Sequence, residues 1–194
     1  MRMNCKKGVC LLLGAMLLLA GGCSHDRNTG DETFYDSGQA PQATEAVYEE
    51  VKTSIGTAAT YGDMTMTVDS VDDPGITIER TGKKALFFHV TIQNGSSETV
   101  GAGYLNNFDL TVDGTYYQSD ECCTIPAMKE LYDFYGTEAI SQDLAPGETA
   151  TGYVACEVDP DFKEMEFHYI PKTTDRGSHI TVPITSADLT SVSK

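Results

Sequence analysis

Tryptophan is absent from this 194-residue chain, and basic residues are scarce, with 13 Lys and Arg against 29 Asp and Glu and a formal charge of −16. Without Trp, a Cys-Trp-Cys core of the antibody type is excluded. So acidic a surface repels phosphate backbones and anionic lipid headgroups, which excludes nucleic acid as a partner. Histidines number four, and His89, His168 and His179 fall on three different predicted strands, so no shared metal site is expected of them. The six cysteines include no CxxC pair, and neither a metal nor another cofactor is expected from their spacing. The chain also lacks a G-x-S-x-G elbow or a comparable nucleophile setting. No catalytic residue is assigned.

Long apolar runs are limited to one, VCLLLGAMLLLAGGC over Val9–Cys23, preceded by Arg2, Lys6 and Lys7. A positive start, a short apolar stretch and small residues before a cut mark an export signal rather than a membrane span. Leu19-Ala20-Gly21-Gly22-Cys23 resembles the lipobox of bacterial lipoproteins, with Ala20 where the pattern commonly has leucine. The resemblance implies a signal peptide over residues 1–22 and acylation of Cys23. Two or three acyl chains hold a protein stably, since each buried methylene contributes about 0.8 kcal/mol. The expected location is the extracytoplasmic face of a Gram-positive cell membrane.

Residues 23–50 form the lipidated N-terminus and an acidic tether rich in Gly, Ser, Thr and Pro, with too few apolar residues to order. Such a tether would hold a domain about 30 Å from its anchor. From Val51 the pattern alternates. Met64, Met66 and Val68 share one face, and Leu86, Phe88, Val90 and Ile92 share another, opposite Phe87, His89, Thr91 and Gln93. Ile76–Ile78 reads as a short strand of its own. Asn94-Gly95 reads as a turn that uses positive φ, and Asp113-Gly114 as a two-residue hairpin between Phe108–Val112 and Thr115–Tyr117. Residues 124–135 break the period with helical spacing, Pro126 suiting the first turn and Gly136 the end. Strands over Thr149–Val158, Phe162–Ile170 and Ile180–Ile184 complete the chain, Pro183 marking a sheet edge. The expected architecture is all-β, an antiparallel sandwich over residues 51–186 with one short helical insert and a tail at 187–194.

KKALFFHVTIQNGSSETV, FDLTVDGTYYQSD and LAPGETATGYVACEVDPDFKEMEFHY resemble a domain of unknown function common on Gram-positive surface lipoproteins. The resemblance implies an immunoglobulin-like sandwich akin to the mycobacterial immunoprotective extracellular antigen. Its motifs are turns rather than catalytic residues, so it bears on fold and hardly on activity.

Three cysteines remain in the domain, Cys122, Cys123 and Cys156. A disulfide from either of the adjacent pair to Cys156 is a candidate, worth roughly 3–4 kcal/mol on chain entropy. Burial of Cys156 as a small hydrophobe is the competing expectation. The candidate binding surface is aromatic, comprising Tyr117, Tyr132, Phe134 and Tyr135 in and before the helical insert. The same residues could equally cap the core. The expected function is binding or adhesion toward an envelope protein, peptide or glycan. A structural or accessory envelope role is the alternative. Less favoured are a calcium module, from Asp69, Asp72 and Asp73 or from Asp109, Asp113, Asp120 and Glu121, and a cryptic hydrolase.

Overall fold

A computed structural model describes residues 49–174 and 176–194. The expected signal peptide, Cys23 and nearly all of the tether lie outside them. In chain order the elements are β1 (Glu50–Lys52), β2 (Ala59–Tyr61), β3 (Met64–Asp73), β4 (Lys84–Asn94), β5 (Val100–Gly103), β6 (Phe108–Val112) and β7 (Thr115–Tyr117). Two helices follow, α1 (Ser119–Cys122) and α2 (Ile125–Tyr135). Then come β8 (Ser141–Leu144), β9 (Thr149–Val158), β10 (Glu164–Tyr169), β11 (His179–Thr185) and β12 (Thr190–Ser191).

Two sheets face each other. One has the order β1-β11-β10-β6-β7, and the other β12-β3-β4-β9 with β2 also on β3. The short β5–β8 pair stands apart. The pairings are antiparallel except β1 with β11 and β12 with β3. This is the all-β sandwich with a short helical insert that the alternation implied. Between the sheets, Phe88 of β4 stacks on Phe167 of β10 at 4.4 Å, and Phe108 of β6 lies 5.4 Å from Phe167. Aromatic pairs at such distances add to the area they bury.

Local chemistry explains most turns, with two corrections. Asp113 and Gly114 both take positive φ, 46° and 80°, as a type I′ hairpin requires. Gly95 does not. A Cβ there would stand 2.8 Å from the Asp63 carbonyl oxygen, so close backbone approach demands the glycine. Ile76–Ile78 is not a strand, because only Thr77 bridges to Lys84. The segment does turn back at Ile78–Gly82, with Ile78 N–H donating to the Lys83 carbonyl and Ala85 N–H to that of Ile76, but the pairing stops at that single bridge. Pro183 lies beyond the end of β1, which pairs with β11 only from His179 to Thr181, so its missing N–H costs no ladder bond on that side. Within residues 187–194, expected as a tail, Thr190–Ser191 pair with Asp72–Asp73.

Candidate functional site

Helix α2 begins where the Thr124 hydroxyl accepts a bond from the Ala127 N–H at 3.3 Å, and it ends at Gly136 with φ 70°. It lies across the outer face of the β3-β4-β9 sheet. Ala127 and Leu131 are buried there against Ile78, Ala85, Phe87 and Ala155, a second apolar cluster outside the sandwich. Phe134 and Tyr135 flank Phe87, each with its ring centre 5.9 Å away. The Tyr135 ring also stacks on Tyr153 at 4.8 Å, and its hydroxyl donates to Asp72 at 2.6 Å. Burial and the Asp72 carboxylate hold that phenol protonated far above neutral pH.

The helix has a second apolar flank. Ile125 and Tyr132 turn to solvent, and Met128, at helical spacing between them, is half-buried and also packs on the second apolar cluster. Together with Tyr104, Lys129, Glu138, Ala139 and Ser141 they line an open cleft of about 440 Å³. Ile125 is 80% exposed and Tyr132 55% exposed. The structure therefore divides the expected aromatic surface. Tyr132 lines the cleft, whereas Phe134 and Tyr135 are committed to the helix–sheet interface. Tyr117 sits on β7 of the other sheet with the Lys83 ammonium 5.2 Å from its ring centre. Ile125 is the cleft residue that the aromatic pattern does not point to, although its spacing to Met128 and Tyr132 is legible once two apolar stripes are sought on one helix.

The outer face of the opposite sheet carries a polar network that the sequence does not announce. The wholly buried Asp109 carboxylate accepts from Ser119 N–H and Oγ at 2.8 Å each, from Arg176 Nη2 at 2.7 Å, and from the Tyr116 hydroxyl. Burial and Asp109 push the Tyr116 phenol up to about 12. Across the ladder, His168 is clamped between hydroxyls, Nε2 at 2.9 Å from Thr111 Oγ1 and Nδ1 at 3.0 Å from Thr181 Oγ1. His179, expected to lie apart, comes within 4.9 Å of it, ring centre to ring centre. With every polar atom of Asp109 and His168 engaged by the protein itself, neither is poised to move a substrate proton. The acidic turn residues are similarly occupied. Asp69 accepts from Thr91, Asp73 pairs with Lys84 at 2.9 Å, and Asp113 receives the N–H groups of Lys163 and Glu164. Among the described residues, these carboxylates do not converge on one another as a ligand group.

Burial, with His179 nearby, lowers the His168 pKa from the usual 6.5 to about 4. The unfolded chain therefore binds the proton first. Stability from this residue is complete above pH 6.5 and is lost as pH falls toward 4. Between about pH 7.5 and about pH 5 the loss should reach about 2 kcal/mol, seen as a falling urea midpoint. His168→Gln should flatten that slope. An unchanged slope in the variant would assign the dependence to other groups.

Cys122 ends α1, Cys123 follows it, and Cys156 points inward from β9. All three thiols are free and buried. The Cys123 and Cys156 sulfurs stand 3.5 Å apart and those of Cys122 and Cys123 3.8 Å apart. Burial pushes the Cys156 thiol well above its ordinary range.

No curated protein sequence matches the chain significantly. Among solved structures, ycdA of Bacillus subtilis, provisionally designated a lipoprotein, superposes with a TM-score of 0.50 at 13% identity. The superposition covers 68% of this chain but only 39% of that one, so the fold alone is shared. The yjhA protein of Bacillus subtilis gives 0.46 at 19% identity, covering 69% of this chain and 98% of that one. A provisionally designated lipoprotein of Staphylococcus aureus gives 0.45 at 14%, covering 71% and 98%. The family model described as a domain of unknown function, DUF4352, matches residues 53–178, and the chain belongs to that family.

Proposed function

We propose that this protein is a lipid-anchored, extracytoplasmic binding module of the cell envelope, without catalytic activity. The cleft beside α2 carries the reading. Ile125 is 80% exposed next to Tyr132 and Met128, and burying such side chains against a partner recovers roughly 1.5–3 kcal/mol each. The partner is a cationic stretch of an envelope polypeptide. A domain this acidic draws positive charge toward it, and the cleft offers an apolar slot for one aliphatic or aromatic anchor. The lipobox-like Leu19–Cys23 and the lipoprotein designations of two structural neighbours support the anchor.

Two changes test the reading separately. Cys23→Ser should release the protein into the medium, whereas retention on the membrane would refute the anchor. Panning cationic peptides against the full chain should yield ligands whose affinity falls at least tenfold with Ile125→Glu or Tyr132→Ala. Glu164→Ala, on the other sheet, should leave it unchanged. Peptides that bind all variants equally, or a glycan that binds instead, would refute the cleft as their site.

A further inference from the structure

The three thiols of the domain meet at one point inside the sandwich, and their arrangement has no bearing on the cleft. Cys122 and Cys123 arrive from the end of α1, Cys156 from near the C-terminal end of β9. Their sulfurs all lie within 4.8 Å of one another, with the two shorter separations 3.5 and 3.8 Å. At a metal–thiolate bond of about 2.3 Å, three sulfurs placed trigonally around one ion stand about 4.0 Å apart. The cluster therefore needs shifts of only a fraction of an ångström to a little under 1 Å to close on a single ion.

We infer that Cys122, Cys123 and Cys156 form a site for one Cu(I) ion. Donor chemistry chooses the metal. Three sulfurs with no carboxylate or imidazole in the group suit a soft monovalent ion. Structural zinc takes four ligands in a tetrahedron, and among the described residues this group supplies three. Hard oxygen-seeking ions find no oxygen ligand set here. The pocket is dry, with Cys156 fully buried and Cys122 and Cys123 nearly so. An uncompensated charge is costly in such buried surroundings. A bound cation removes that cost. Each thiol that becomes a thiolate ligand gives its proton to solvent, and the copper enters and stays as Cu(I), so no electron is exchanged.

The alignment of donors also depends on the fold rather than on the adjacent pair alone. The Phe108 carbonyl oxygen lies 3.9 Å from the Cys122 sulfur and 3.8 Å from that of Cys123, so both side chains are turned toward β6 and away from solvent. Ser119, at the start of α1, is held by Asp109 through two bonds, which fixes the helix that delivers the pair.

The test uses the full chain carrying Cys5→Ser, Cys10→Ser and Cys23→Ser, reduced and kept under argon. It is titrated with Cu(I) in competition with bathocuproine disulfonate, and separately with Zn(II). One Cu(I) per chain should be retained, with proton release on binding, an all-sulfur first shell by X-ray absorption, and protection of all three thiols from alkylation. Cys156→Ala should weaken retention at least tenfold while a melting curve reports whether the variant folds. The wild-type thiol set decides the matter even if that variant does not fold. Failure of the reduced, folded protein to hold copper would overturn the inference. So would zinc retained as tightly as copper, or a Cys123–Cys156 disulfide in protein isolated without oxidant.

Discussion

Phe88→Ala is expected to leave the domain unfolded or close to it. Phe88 has no solvent exposure, and its ring lies nearly parallel to that of Phe167 across the sandwich, 10° between planes. Truncating it removes the contact that joins the central strands of both sheets. Losses of about 3–5 kcal/mol are usual for such a change, against a total stability of about 5–15 kcal/mol. Thr91→Ala, three residues along the same strand, should cost only about 1 kcal/mol. Its half-exposed hydroxyl donates to Asp69 at 2.8 Å, a bond that water can largely replace. Urea unfolding of both variants measures the difference, and similar midpoints would place Phe88 outside the core.

The second large effect separates neighbours on one helix. Leu131→Ala should lower stability by about 2–5 kcal/mol, because Leu131 is wholly buried against Ala85, Phe87 and Ala155. Tyr132→Ala, one residue on, should stay within about 0.5–1 kcal/mol while weakening peptide capture in the cleft, since its ring is mostly in water. The helix thus seals the sheet with one flank and offers the other to solvent. A sharp fall in melting temperature for both variants would mean that Tyr132 also belongs to the seal, and the cleft would lose its main support.

The alternation of Leu86, Phe88, Val90 and Ile92 identified the inner face of β4, because a strand's side chains point alternately to its two sides. The same rule assigned Phe87 to the outer face, where it indeed lies. Its complete burial could not be foreseen, because it depends on α2 lying over that face. In β3 the rule holds only as far as Val68. The pairing register shifts between Val68 and Ser70, and the extra residue turns Val71 inward with the earlier set. A bulge of that kind leaves no mark in a local pattern.

What the sequence determined alone was whatever rests on neighbours along the chain. That covers the strand periods, the Asp113-Gly114 hairpin, the Thr124 and Gly136 ends of the helix, and the excess of acidic charge. Tertiary structure decided every feature built from distant residues. The approach of His168 to His179 follows from the register of β10 on β11, where His168 faces Thr181 and His179 stands two positions further along. The meeting of Cys123 with Cys156 joins a helix end to a strand 33 residues away. Tyr132 was separated from Phe134 and Tyr135 because successive helix positions point in different directions, and only the location of the sheet says which direction is inside.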